Sequence, residues 1–192
     1  MKKKKITVAL SGLNAIDSPG PGLAVARGIL DSDKWDVRII GLSYESMEPG
    51  IYMHDIFHKK YQIPYPSAGT ESLMKRLMEI HEREKLDVVI PNFDAELFSF
   101  IKLEEKLREK GIHTFLPFAD QFEERNKWNL PDFGEKYDLK VPKSKEIMVF
   151  SDFYPISVDF GFPIVIKGKY YDAIVAYNAE QAQSAFNRIS SK

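Results

Sequence analysis

Cysteine is missing from all 192 residues. No disulfide framework and no thiolate metal site can be built from this chain. The absence suits a reducing compartment, and the cytoplasm is the expected location. An excess of charge of one sign is missing too: 27 Lys and Arg stand against 28 Asp and Glu, a formal net charge of -1. That balance gives no bulk attraction to nucleic acid or to an acidic membrane surface, so neither is expected as a partner. No apolar run approaches the roughly 20 residues of a membrane helix. Residues 6–10, behind a basic start, are too short for the core of a signal peptide. There is no internal repeat, no low-complexity tract, no G-x-S-x-G elbow and no G-x-x-x-x-G-K-S/T loop. The histidines form no metal set. His54 and His58 have an i, i+4 spacing, but no Glu follows His54 as the zinc-protease pattern demands, and His81 and His113 read as packing or surface residues.

What is present is an alternation of short apolar runs and amphipathic stretches. Hydrophobic residues make up 44% and charged residues 29%, a balance that excludes global disorder. Residues 6–10 and 37–42 are β-branched and apolar and predict buried strands, as do 87–91 and 112–116. Between them, residues 22–31 carry Leu23, Ala26 and Leu30 on one helical stripe. Residues 71–85 carry Leu73, Leu77 and Ile80, supported by Met74, Met78 and His81, with Thr70 as the expected N-cap. Residues 95–110 form the next predicted helix, capped by Asp94 and closed by Gly111. Residues 43–68 read as irregular. Strands spaced by helices need crossovers and a parallel sheet. Residues 1–118 are therefore expected to form a Rossmann-like α/β domain.

After Phe118 the rhythm changes. Residues 119–137 read as helical with a break near Pro131, and 139–147 as an extended link through Pro142. Residues 163–168 predict a strand ending in lysine, 173–177 a strand pairing back on it, and 179–189 a helix capped by Asn178. Residues 119–192 thus read as a linker helix and the start of a small α+β lobe.

Three places carry candidate chemistry. The first connection, residues 11–22, contains Gly12, Asn14, Gly20 and Gly22 ahead of a helix N-terminus. Glycines there let backbone N–H groups approach a ligand, or simply shape a loop. The spacing is not G-x-G-x-x-G, and residues 42–45 offer a poor ribose-binding acid, which speaks against a nicotinamide cofactor. The third strand opens into Asn92, Asp94 and Glu96, where ligands of open α/β sheets gather; the plainer reading makes Asp94 a cap and Glu96 a partner of the helix dipole. Lys167 ends an apolar strand and Lys169 follows two residues on; both suit a phosphate, and a snorkelling surface lysine is the alternative.

At these residues the chain resembles the ATP-grasp superfamily, most of all the branch of carbamoyl-phosphate synthase large subunit and biotin carboxylase. The resemblance rests on three features in order. An N-terminal Rossmann-like domain comes first. Arg-Asn-Lys-Trp at 125–128 then leads to Asp-Leu-Lys-Val-Pro-Lys at 138–143, and Gly-Phe-Pro-Ile-Val-Ile-Lys follows at 161–167. The resemblance implies an ATP-dependent ligase that activates a carboxylate or bicarbonate as an acyl phosphate. It implies that Lys127 and Lys167 touch nucleotide phosphates; Lys169 joins them by its spacing, and the place of Gly12, Asn14, Gly20, Gly22, Asn92, Asp94 and Glu96 at the ends of neighbouring parallel strands makes them the residues expected to face a small-molecule substrate. ATP and Mg²⁺ are the implied cofactors. The family's phosphate loop is Gly-rich, whereas residues 168–173 contain one glycine. The family's acidic Mg²⁺ ligands have no counterpart here. The expectation is accordingly an N-terminal portion, inactive by itself, completed in cis or by a partner subunit, with a homo-oligomer also open. The competing reading is a non-catalytic Rossmann-like module that binds a nucleotide or another small molecule in a regulatory role.

Overall fold

A computed structural model describes residues 3–15, 20–169 and 172–191. The chain divides into two compact units, Met1–Phe118 and Ala119–Lys192.

The first unit is built on four parallel strands: β1 (Lys4–Leu10), β2 (Trp35–Ser43), β3 (Lys59–Gln62) and β4 (Val88–Ile90), in the order β3-β2-β1-β4. The α/β class follows from this all-parallel sheet. Ile6 pairs with Val37 and Val8 with Val88, which sets the register on both sides of β1. Alternate residues of β1 then serve opposite faces. Val8 and Leu10 pack with Ala26 of α1 (Gly22–Leu30) and with Phe57. Ala9 packs on the other face with Leu73, Leu77 and Ile80 of α2 (Thr70–Glu84) and with Phe100, Leu103 and Leu107 of α3 (Asp94–Glu109). Burial on both faces explains why the strands read as continuous apolar runs. Each fully buried Leu, Ile or Phe among these contributes about 1.5–3 kcal/mol relative to exposure.

The differences from the sequence reading have physical causes. Residues 112–116 do not form a strand; a single bridge joins His113 to Val88, while Phe115 stands 99% exposed. The fourth strand is instead β3, inside the stretch read as irregular. Its Lys-Lys-Tyr-Gln sequence sits at the sheet edge, where a polar strand hides the apolar signal. Thr70 and Asp94 are the first residues of their helices rather than caps, since Gly69 and Phe93 occupy the cap positions. Of the expected α1 stripe, Leu23 and Ala26 pack on the sheet, but Leu30, at the helix end, is 40% exposed. Gly111 closes α3 with φ +78°, a conformation that favours glycine.

In the second unit, α4 (Ala119–Glu124), a 3-10 turn (Lys127–Asn129) and α5 (Leu130–Lys136) replace one broken helix. The break falls ahead of Pro131, which sits in the first turn of α5 where its missing N–H costs nothing. A helix not anticipated, α6 (Phe153–Phe160), precedes β5 (Ile164–Lys167) and β6 (Ala173–Ala176), which pair antiparallel. Helix α7 (Ala179–Ser190) is capped as expected: Asn178 Oδ1 accepts from Gln181 N at 2.9 Å. Phe153, Ala176 and Ala182 form the core of this unit, with Ile164 and Ile166 against it. No helix among the described residues is long and apolar enough to cross a membrane.

Candidate functional site

In the first unit the chain steps outward from β1 to β2 to β3, then returns to place β4 on the other side of β1. The strand order reverses between β1 and β4, and such switch points are where open parallel sheets hold ligands. The glycine loop leaves β1 here and the Asn92–Glu96 segment leaves β4. The structure brings the two together. A Cβ on Gly12, which has φ +78°, would meet Asn92 Cβ at 2.7 Å. The Asn92 amide donates to the Ser11 and Ile90 carbonyls, both at 3.0 Å.

Glu96 ties the two loops from beneath. Its Oε1 accepts from the Ser11 hydroxyl, from Asn92 N at 2.6 Å and from Phe93 N at 3.0 Å; its Oε2 accepts from the Tyr44 hydroxyl. The residue is 1% exposed. Burial pushes its carboxyl above the usual range, against the pull of those hydrogen bonds. Expected to face a substrate, Glu96 is instead spent on the protein's own groups. Asp94 is exposed at the first turn of α3 and Asn92 is half-buried. Glu48 adds a second buried carboxyl nearby in the fold: Oε1 accepts from Tyr44 N at 2.6 Å, and burial raises its pKa.

The glycines of the first loop bring backbone against backbone. Gly22 N donates to Gly12 O at 3.0 Å and Gly20 N to Asn14 O at 2.7 Å. A Cβ on Gly22 would meet Gly12 O at 2.7 Å and lie closer still to Ser11 O. The loop is therefore folded on itself, with Asn14 half-buried inside it. Residues 16–19 of this loop lie outside the described residues. Ser11, Tyr44 and Glu48 escaped the sequence reading, because a lone Ser or Tyr just past a strand, or a lone Glu ahead of a 3-10 turn, carries no periodic signal.

The lysines lie in the second unit, around the turn that follows β5. Gly168 N donates to Asp172 O at 3.1 Å, and Lys127 Nζ donates to Gly168 O at 3.4 Å. Lys169 Nζ stands 5.3 Å from the centroid of the Trp128 ring. Lys167 is the last residue of β5 and is exposed. Lys127, Lys167 and Lys169 thus gather at one end of β5. Residues 170–171, between Lys169 and Asp172, lie outside the described residues.

Solved structures share this fold. N5-carboxyaminoimidazole synthetase from Staphylococcus aureus aligns over 100% of this chain and 46% of its own, with a TM-score of 0.57 and 15% identity. The biotin carboxylase domain of 2-oxoglutarate carboxylase from Hydrogenobacter thermophilus, solved with MgADP, ADP and bicarbonate, aligns over 98% of this chain and 40% of its own, with a TM-score of 0.59 and 16% identity. N5-carboxyaminoimidazole synthase from Aspergillus clavatus, in complex with ADP and an aminoimidazole ribonucleotide, aligns over 96% and 44%, with a TM-score of 0.53 and 14% identity. The fold is one shared with these enzymes. This chain spans under half the length of each of these proteins. No protein-family model matches it, and no curated protein matches it by sequence.

Proposed function

We propose that the chain is the N-terminal portion of an ATP-dependent ligase of the ATP-grasp type, of the carbamoyl-phosphate synthase and biotin carboxylase branch. In that reading, residues 1–118 are the pre-ATP-grasp domain and residues 119–192 begin the ATP-grasp lobe. The observation that carries the reading is the gathering of Lys127, Lys167 and Lys169 at the end of β5, in a fold shared with enzymes solved with ADP. Ammonium groups on a turn are point charges that follow phosphate oxygens as charge shifts between them. The group they fit is the nucleotide's phosphate chain, and the chemistry ATP supplies is activation of a carboxylate or bicarbonate as an acyl phosphate.

Gly12, Asn14, Gly20, Gly22, Asn92 and Asp94 would face the small-molecule substrate at the β1/β4 switch point, with Glu96 holding their loops in place. Mg²⁺ fits less well. Among the described residues no three His, Asp or Glu side chains gather closely enough to hold a metal. The metal would need ligands from outside those residues, in cis or from a partner subunit, and without them this chain is expected not to turn over ATP.

Calorimetric titration with ATP tests the reading. The wild-type chain should bind, and Lys127→Ala with Lys167→Ala should abolish binding, since each charge-assisted hydrogen bond to phosphate is worth about 1.5–3 kcal/mol. Affinity that survives the double substitution would refute the phosphate site.

A further inference from the structure

The link between α5 and α6 runs from residue 139 to 147 without a turn or a bend. Pro142 favours extended backbone at Val141. Both ends of the link are anchored. Val141 lies against α5, where a Cβ on Gly134 would meet its Cγ2 at 2.6 Å, and Ile147 packs on the core around Phe153. Between these anchors residues 142–146 are exposed. The backbone is open as well: among the described residues, no N–H or C=O from 140 to 148 has a backbone partner. Such a row of donors and acceptors is a sheet edge without its neighbour. Pro131, Pro142, Phe160, Lys143, Lys145 and Asp159 line a cleft of about 450 Å³ along it.

We propose that residues 143–147 are a docking strand for an extended acidic peptide, which adds to this edge and sets its carboxylates against Lys143 and Lys145. The backbone selects a peptide. Alternating donors and acceptors are matched by another extended main chain, whereas a phosphodiester chain offers acceptors alone. The side chains select the charge. Lys143 and Lys145 are two residues apart, so an extended chain carries them on one face. Asp159 holds Lys143 at 3.2 and 3.4 Å, but both partners are exposed, and a pair of that kind is weak enough to yield to another carboxylate. Lys145 makes no ion pair among the described residues. A second copy of the chain is the wrong occupant, because antiparallel pairing about Ser144 would set Lys143 opposite Lys145, and like charges opposed across a ladder destabilise it. Pro131, Pro142 and Phe160 offer apolar surface to the peptide's other side chains.

Fluorescence polarisation on the intact chain tests this with two labelled probes, a short peptide of alternating glutamate and valine and its lysine–valine counterpart. The glutamate peptide should bind and the lysine peptide should not. Lys145→Glu, a change at an exposed side chain, should weaken the glutamate peptide about three- to tenfold. Amide exchange then reads the backbone. The glutamate peptide at saturation should slow alternate amides within residues 143–147, the spacing of a ladder on one edge, and leave those of β1–β4 unchanged. Charge attraction alone would leave the link's amides as fast as before. No binding, equal affinity for the two peptides, unchanged affinity in Lys145→Glu, or binding without slowed amides would each overturn the docking strand. Protection that grows with protein concentration in the absence of peptide would give the edge to a second copy and overturn the acidic partner. None of these outcomes bears on the lysine cluster at the end of β5, which the ATP titration decides separately.

Discussion

The Ser11 hydroxyl donates to the Glu96 carboxylate across 85 positions of sequence, and this bond closes the seam between the loops that leave β1 and β4. Tyr44, at the end of β2, donates to the other oxygen of the same carboxylate. One buried side chain thus fixes the C-terminal ends of three neighbouring strands.

Glu96→Ala would leave the Ser11 and Tyr44 hydroxyls and the Phe93 N–H without their acceptor, while Asn92 N keeps Ser11 Oγ at 2.9 Å. Buried unsatisfied groups cost about 1–3 kcal/mol each, and partial relaxation makes the sum smaller than additive. A loss of about 3–5 kcal/mol in urea unfolding is expected. Glu96→Gln keeps one acceptor oxygen and should lose less. Its cost should also depend on pH. Burial raises the Glu96 pKa in the folded protein, so the native state holds the proton more tightly than the unfolded chain. The wild-type contribution is complete below the unfolded value of about 4.3. It declines as pH rises through the folded pKa. The stability gap between wild type and Glu96→Gln should therefore narrow from acid toward neutral pH.

Glu84 should behave in the opposite sense. It accepts from Arg38 on β2 and from the Tyr61 hydroxyl on β3. Burial pushes its carboxyl up, but these two hydrogen bonds and the Arg38 charge outweigh it and hold the pKa below the usual range. Its contribution is then present above the unfolded value of about 4.3 and lost as pH falls through the lowered folded pKa. Glu84→Gln should cost about 1–2 kcal/mol at neutral pH. The difference from wild type should vanish in acid, read from urea unfolding at a series of pH values.

Two glycines of α1 should respond in opposite directions. Gly22→Ala places a methyl group against the Ser11 and Gly12 carbonyls, which belong to backbone and cannot swing away. A loss of about 1–3 kcal/mol is expected, with rearrangement of the glycine loop. Gly28 lies in the helix interior with nothing within 4 Å of an added Cβ. Gly28→Ala should stabilise by about 0.5–1 kcal/mol through helix propensity. Thermal melts of the two variants would show the opposite signs.

Asn178→Ala removes the oxygen that accepts from Gln181 N at the start of α7. A loss of about 1 kcal/mol is expected. Helix α7 packs on the β5–β6 hairpin, so the loss should appear in amide exchange of β5, β6 and α7. The β1–β4 sheet should exchange as in wild type. Uniform acceleration through both units would contradict this.

Some of the molecule was written in its sequence alone. The apolar β-branched runs at 6–10 and 37–42 announced buried strands, because burial on a sheet face demands such residues whatever lies around them, and 163–168 announced the strand β5, which is half-buried to exposed. The periodic Leu73, Leu77 and Ile80 announced α2, and Asn178 announced the start of α7, because periodicity and capping are local. What tertiary structure decided lay in contacts between distant residues. The polar strand at Lys59–Gln62 forms only because β2 offers it a ladder of backbone partners. The apolar run at 112–116 stops at one bridge because β4 is only three residues long. The burial of Glu96, and with it the difference between a substrate contact and a structural tie, depends on Ser11 and Tyr44, at distances of 85 and 52 positions. No local pattern encodes such a partnership; it exists once a parallel sheet has brought the ends of its strands together.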